Sequence, residues 1–133
     1  MAAATEAANG NDFDVVVIGG GPGGYPCAIR AAQLGKKVAC IENDNLGGTC
    51  LNWGCIPTKT MIGSVAALYT IKHAKEFGLT ADNVGVDFPA LMARKEKVVK
   101  TLVGGVGYLL KKHGVTAIEG IGTIKNAHTV TVI

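Results

Sequence analysis

The chain has 133 residues, a formal net charge of +3 at pH 7, 48% hydrophobic residues, 19 glycines and 4 cysteines. This length allows one domain with a hydrophobic core, and so mild a charge does not favour nucleic-acid binding. No apolar run approaches the ~18 consecutive residues of a membrane helix. The composition therefore predicts a soluble globular domain with neither nucleic acid nor membrane as a partner.

The first eleven residues are alanine-rich and carry Glu6 but no basic residue, a pattern that does not match secretory or organelle signals. We expect residues 1–11 to form a disordered tail and the protein to be cytoplasmic. Four cysteines without a secretory signal favour a reducing compartment, where a disulfide is more often catalytic than structural.

A strand, a glycine turn and a helix are predicted next. The apolar run over residues 14–18 leads into GGGPGG, in which Gly19, Gly21 and Gly24 occupy the G-x-G-x-x-G positions. These three turn the chain tightly, let a pyrophosphate approach the backbone, and let the helix pack on the strand. The helix is expected to end at Gly35.

A second apolar strand over residues 37–41 ends at Glu42, where an acidic partner of a ribose hydroxyl is expected. The two strands, the helix, the glycines and the acid together predict a Rossmann-like, dinucleotide-binding α/β unit. A glycine turn in some other α/β unit is the alternative.

Two cysteines with four residues between them occur in the segment GGTCLNWGCIPTK. Five residues of straight helix rise ~7.5 Å, more than the roughly 7 Å between Cα atoms that a disulfide spans. A bridge between Cys50 and Cys55 would therefore need an irregular backbone, with Pro57 delaying the next helix. A helix N-terminus lowers the pKa of a thiol held there. On spacing alone, a redox loop, a static disulfide and two unrelated buried cysteines all stay open.

Apolar periodicity predicts a helix over residues 58–77, a second helix that Asp87 caps, and strands within residues 115–133. Glycines near the end of the second helix are expected to allow close packing. Pro26, placed in the second turn of the first helix, is expected to cost a hydrogen bond and puts cofactor affinity in doubt. Cys27 and Cys40 are interpreted as buried apolar residues. We predict no metal site, because no cluster of metal-ligating residues is found.

The glycine turn, Glu42 and GGTCLNWGCIPTK, in this order, resemble the start of the flavin-dependent pyridine-nucleotide disulfide oxidoreductases. The resemblance runs from about residue 12 to the last residue, and it is closer to the lipoamide branch than to the glutathione or mercuric reductases. It implies FAD at the glycine turn and NAD at a region absent from this chain. It also implies that Cys50 is the interchange thiol and that Cys55 lies against the flavin. The implied cofactor-binding residues are Gly19, Gly21, Pro22, Gly24, Glu42, Gly48, Thr49 and Lys59.

By this resemblance, residues 12–133 are the N-terminal portion of an incomplete FAD/NAD(P)-binding Rossmann-like domain. The parent enzyme would pass electrons from dihydrolipoamide through Cys50 and Cys55 to FAD and then to NAD, and this chain alone would be inactive. The implied partners are a second copy of the parent and the lipoyl-bearing carrier domain of 2-oxoacid dehydrogenase or glycine cleavage complexes. A reductase of disulfides or mercuric ion driven by NAD(P)H, a small dithiol module without flavin, and an inactive fragment stay open.

Overall fold

The computed structural model describes residues 12–133, so the expected tail over residues 1–11 lies outside the described part. The elements in chain order are β1 (Val15–Ile18), α1 (Gly24–Gln33), β2 (Val38–Glu42), α2 (Gly48–Asn52), α3 (Cys55–Lys72), a 3-10 turn (Ala74–Phe77), α4 (Phe88–Lys112), β3 (Thr116–Glu119), β4 (Gly122–Asn126) and β5 (Thr129–Val132). Among residues 12–133, no helix combines the length and the apolar character needed to cross a membrane.

Three parallel strands form the main sheet in the order β1-β2-β3. The register pairs Val15 with Val38 and Cys40 with Ala117. The central strand β2 is buried along most of its length, as expected when both faces of a parallel sheet are covered. The strands β4 and β5 form a separate antiparallel hairpin. The predicted Rossmann-like α/β architecture is therefore confirmed.

The hydrophobic core lies where α1 and α4 pack against the sheet and against each other. Its buried members come from both helices, from the sheet and from α2: Ala28, Val38, Cys40, Leu51, Val106, Leu110 and Val115. Cys40 is fully buried, as predicted, but Cys27 is exposed, so its interpretation as a buried residue is wrong. The face of α1 that meets the core is occupied by Ala28, the residue next to Cys27.

Each of the three long helices has a proline in its first turn. Pro26 is the third residue of α1, not a residue of its second turn, and Pro57 is the third residue of α3. The first four N–H groups of a helix have no partner within it, so these prolines cost little. The helix predicted from residue 58 begins earlier, at Cys55. It does not include Trp53, the residue to which Pro57 cannot donate a hydrogen bond. Asp87 caps α4 as predicted and accepts a 2.9 Å hydrogen bond from Ala90 N–H.

The glycines near the end of α4 do not serve close packing. A Cβ added at Gly104 or Gly105 would meet no atom within 4 Å, and one at Gly107 would make an ordinary 3.7 Å contact with Leu46. Close approach instead occurs at Gly24, where an added Cβ would overlap the carbonyl oxygen of Gly19. The fingerprint glycine thus has the packing role that the pattern predicted.

We predict that Gly24→Ala destabilises the chain by about 1–3 kcal/mol, the usual cost of forcing extra volume into a packed site. Gly23→Ala is the matched control, since a Cβ there would meet nothing within 4 Å. Its backbone is already in the right-handed helical region, so we expect a change within ~0.5 kcal/mol. Urea denaturation followed by circular dichroism measures both variants. Equal midpoints for the two would show that helix and strand are not in contact at Gly24.

Candidate functional site

The glycine turn joins β1 to α1 and presents the N-terminus of that helix. The N–H groups of Gly24 and Tyr25 both donate to the carbonyl of Gly21, at 3.0 and 3.1 Å. Gly19 N–H donates to the Ile41 carbonyl at 2.7 Å and so fixes the start of the turn to β2. Backbone N–H groups and the helix dipole together make such a terminus suited to a phosphate group.

Glu42 lies beside the glycine turn, as the sequence predicted. One carboxylate oxygen, Oε2, accepts a 2.7 Å hydrogen bond from Gly20 N–H. The other, Oε1, accepts from the N–H groups of Asn43 and Asp44 at 3.0 and 3.1 Å. Because each carboxylate oxygen has two lone pairs, Oε2 keeps capacity for a ribose hydroxyl while the carboxylate is held in place by backbone donors.

A cavity of about 480 Å³ opens at the carboxyl ends of β2 and β3. Its walls combine acidic, amide and apolar side chains: Cys40, Glu42, Asp44, Asn45, Leu46, Val103, Ala117, Ile118 and Glu119. Nucleotides bind at this edge in open α/β sheets, and the volume lies within the usual range for cofactor sites. The sequence did not indicate the β3 and α4 residues of this wall, because it did not show that β3 joins the sheet next to β2.

The segment that leads into the cysteines lies directly on the glycine turn. Gly47 N–H donates to the carbonyl of Gly20 at 2.8 Å. Gly48 adopts φ = +55°, and a Cβ added there would lie 2.9 Å from the Cα of Gly21. A side chain at position 48 would therefore be strained by its backbone conformation and would also collide with the fingerprint. Gly20, which the fingerprint leaves variable, contributes both of its backbone groups to these contacts.

The two cysteines lie on two successive helices, the short α2 and the long α3, and not on one straight helix. Cys50 is the third residue of α2, and Cys55 is the first residue of α3. Between them, Trp53 ends α2 and Gly54 adopts a non-helical backbone with φ = −119° and ψ = −104°. This break provides the irregular backbone that the spacing requires. In the structure both thiols are free, Cys50 half-buried and Cys55 exposed.

The Cys55 thiol affects the pKa of Cys50. Hydrogen bonding to the Cys55 side chain is the main cause that raises the pKa of Cys50, followed by desolvation and by repulsion from Cys55. The backbone of Cys55 and the charge of Lys59 lower that pKa, but they do not outweigh the first group of causes. The pKa of Cys50 in the reduced pair therefore lies above its ordinary value.

Cys40 has a raised pKa because it is buried, with smaller contributions from Glu42 and Cys27. A buried thiol that stays protonated is a poor nucleophile. This separates Cys40 chemically from the pair at Cys50 and Cys55. Within residues 12–133, no group of three or more histidine, cysteine or carboxylate residues could hold a metal ion.

Asn52 is a site residue that sequence reasoning missed. Its Nδ2 amide donates to the carbonyls of Leu46 and Gly48, at 3.1 and 2.9 Å. The side chain therefore closes the turn that positions Gly48 against the fingerprint. A polar residue between the two cysteines was the available signal, but its partners depend on how the turn folds back.

Three similar proteins share the name dihydrolipoyl dehydrogenase. The chain is 48% identical over 122 residues to the dihydrolipoyl dehydrogenase of Acholeplasma laidlawii, covering 91% of the chain and 36% of that protein. It is 48% identical over 122 residues to the enzyme of the same name from Geobacillus stearothermophilus, covering 92% of the chain and 26% of the relative. The Arabidopsis thaliana protein "Dihydrolipoyl dehydrogenase 1, mitochondrial" is 46% identical over 129 residues, covering 95% and 25%.

The chain thus spans between a quarter and somewhat more than a third of the length of these curated relatives. A family model for the pyridine nucleotide-disulphide oxidoreductases matches residues 13–132, a range that contains the glycine turn, Glu42, both cysteines and Lys59. The chain therefore belongs to the pyridine nucleotide-disulphide oxidoreductase family.

Proposed function

We propose that this chain supplies the FAD-binding turn and the redox-active cysteine pair of a dihydrolipoyl dehydrogenase. The observation that carries the proposal is the direct backbone contact of the segment before Cys50 with the glycine turn, through Gly47, Gly48, Gly20 and Gly21. A dithiol that exchanges electrons with a cofactor must be held at a fixed place relative to it. The shared backbone contact provides that fixed place.

The described residues fit the ADP half of FAD. The α1 N-terminus suits the pyrophosphate, Glu42 Oε2 suits a ribose hydroxyl, and the cavity beyond it suits the adenine-bearing end. Gly21, the second glycine of the fingerprint, allows a ligand to approach the backbone closely, and Gly48 lies directly against it. Pro22, Gly19, Gly24 and Thr49 line the same turn or adjoin it in sequence, and we assign them to the cofactor site on that basis. When bound, FAD supplies a two-electron acceptor.

The cysteines perform the dithiol exchange. A thiolate of dihydrolipoamide attacks Cys50 Sγ of the Cys50–Cys55 disulfide, forms a mixed disulfide and releases Cys55 as a thiolate. The second substrate thiol then displaces Cys50, so that two electrons pass to the protein and lipoamide leaves oxidised. Lys59, one turn after Cys55 on α3, supplies a cation that favours thiolate at this site. NAD would bind at a separate site, since residues 12–133 carry one glycine fingerprint.

The proposed dithiol substrate determines which partner the enzyme would have. The dithiol would be presented by a lipoyl-bearing carrier domain of a 2-oxoacid dehydrogenase or glycine cleavage complex. We also propose that the enzyme is a homodimer and that it is located in the cytoplasm. A reversible cysteine pair fits a reducing compartment.

A chimeric enzyme tests the proposal. The chain is 47% identical over 122 residues to the dihydrolipoyl dehydrogenase of Bacillus subtilis, so residues 13–132 can replace the corresponding part of that enzyme. We expect a yellow protein that reduces NAD with dihydrolipoamide. Cys50→Ser and Cys55→Ser should each lower this turnover by at least about 10²-fold while FAD stays bound, because the disulfide that the substrate thiolate attacks can no longer form.

Cys27→Ala is the matched control for the chimera, because Cys27 is exposed and lies on α1. Its turnover should equal that of the parent chimera. A folded chimera that binds FAD but reacts only with NADPH and a disulfide or mercuric ion would replace the proposal with a reductase. A chimera that is active but colourless would favour a dithiol module without flavin.

Oxidation of the chain should join Cys50 to Cys55 and leave Cys27 and Cys40 as thiols. The reason is that Cys50 and Cys55 lie on adjoining helices and the Cys55 thiol is close enough to raise the pKa of Cys50, whereas Cys40 is buried with a raised pKa. Peptide mapping after mild oxidation and alkylation measures the pairing. A bridge that involves Cys27 or Cys40 in a folded sample would contradict the assignment of the redox pair.

The pH dependence of Cys50 alkylation should change when Cys55 is removed. In the reduced chain the Cys55 thiol raises the pKa of Cys50, so the Cys50 thiolate forms only at higher pH. Cys55→Ala removes the thiol that raises this pKa by hydrogen bonding and by charge repulsion. The pH profile of the Cys50 alkylation rate with iodoacetamide should therefore move to lower pH. Mass spectrometry of the Cys50 peptide follows the rate, with Cys27→Ala as control. A profile that stays in place or moves upward would show that the two thiols are not neighbours in solution.

A further inference from the structure

An arginine on α4 binds the backbone of the redox helix α3. Arg94 Nη1 donates a 3.0 Å hydrogen bond to the carbonyl of Thr60, and it lies 3.4 Å from Ser64 Oγ. Thr60 is among the few buried polar residues of the described chain. The contact joins α3 to α4, which pack against each other. Its two residues, Arg94 and Thr60, are 34 positions apart in sequence.

The contact continues toward Cys55 through a second hydrogen bond. Thr60 Oγ1 donates to the carbonyl of Ile56 at 2.8 Å, and Ile56 directly follows Cys55. Ser64 Oγ adds a 3.3 Å hydrogen bond to the Thr60 carbonyl. Arg94, Thr60 and Ile56 thus form a chain of polar contacts that ends next to the first residue of α3.

The effect of Arg94 on the cysteine pair is expected to come from the hydrogen bond that joins α3 to α4 and not from its positive charge. Thr60 lies five residues after Cys55, which is ~7.5 Å along a helix axis, and the guanidinium lies beyond the Thr60 carbonyl. This separation is close to the Debye length of about 8 Å at physiological ionic strength, so the field at the thiols is screened. A hydrogen bond that fixes the start of α3 against α4 is not screened in this way.

We propose that Arg94 is a positioning residue that holds the start of α3 so that Cys55 stays opposite Cys50. This inference rests on the proposed function, since it concerns the same cysteine pair. Its consequence is a higher effective concentration of one thiol toward the other, which favours the disulfide over the dithiol. The family's sequence pattern around the cysteines does not include position 94.

The test is the thiol–disulfide equilibrium of the full chain with glutathione. One glutathione disulfide accepts two electrons and two protons from the Cys50 and Cys55 thiols, giving the protein disulfide and two glutathione thiols. Acid quenching, alkylation and mass spectrometry give the fraction of Cys50–Cys55 disulfide at each glutathione ratio. The variants are Arg94→Met and Arg94→Gln, with Arg94→Lys as the conservative replacement.

Lys97→Met is the matched control, because it removes the same charge from the next turn of α4. Lys97 is exposed, and among residues 12–133 its ammonium group makes no hydrogen bond. Its backbone carbonyl accepts one from Thr101 Oγ1 at 2.9 Å, which the substitution leaves in place. We expect Arg94→Met and Arg94→Gln to lower the equilibrium constant for disulfide formation by about 5- to 10-fold. Arg94→Lys should stay within about 3-fold of the parent value, and Lys97→Met should not change it.

A merely structural role for Arg94 would lower the melting temperature of both redox forms equally and leave the equilibrium constant unchanged. That result would overturn the inference while the proposed function stands. An equal shift in Lys97→Met would also overturn it, because charge alone would then be the cause. A parent chain that forms no Cys50–Cys55 disulfide would overturn both. Circular dichroism checks folding, and if Arg94→Met unfolds, the Arg94→Gln value decides in the same way.

Discussion

Backbone contact between the glycine turn and the segment before Cys50 is the constraint on which the site depends. Gly20 N–H donates to the Glu42 carboxylate, and the Gly20 carbonyl accepts a hydrogen bond from Gly47 N–H. A Cβ at Gly48 would lie 2.9 Å from the Cα of Gly21. Two main chains can approach this closely only when neither carries a side chain at the contact. The glycine turn and the segment that carries Cys50 are therefore positioned by one shared set of contacts.

This contact also explains how the rest of the site is arranged. Asn52 closes the turn over residues 46–48 through two carbonyls, and Leu51 of α2 is buried in the core. The short helix α2 is thus fixed from the glycine turn on one side and from the core on the other. Cys50 lies on this fixed element, whereas Cys55 begins α3, which packs against both α4 and α2. Relative placement of the two thiols therefore depends on how α3 is held.

Each of the three long helices has a proline in its first turn. Pro26, Pro57 and Pro89 are each within the first three residues of a long helix, where the missing N–H removes no intrahelical hydrogen bond. For α1 and α3 these helix starts adjoin the glycine turn and Cys55. Fixed φ at these positions limits the conformations available to the helix starts without weakening the helices themselves.

The sequence by itself determined the local elements and the chemistry they carry. The run over residues 14–18, the glycine spacing, Glu42 and the cysteine segment predicted the strand-turn-helix unit and the candidate site, because glycine geometry and apolar periodicity are local properties. Only the tertiary structure decided the position of β3 beside β2, the exposure of Cys27, the amide contacts of Asn52 and the reach of Arg94 from α4 to Thr60. The raised pKa of Cys50 likewise depends on where the Cys55 side chain lies. These features join residues that are distant in sequence or separated by a chain reversal, and no local pattern specifies which surfaces meet when the chain packs.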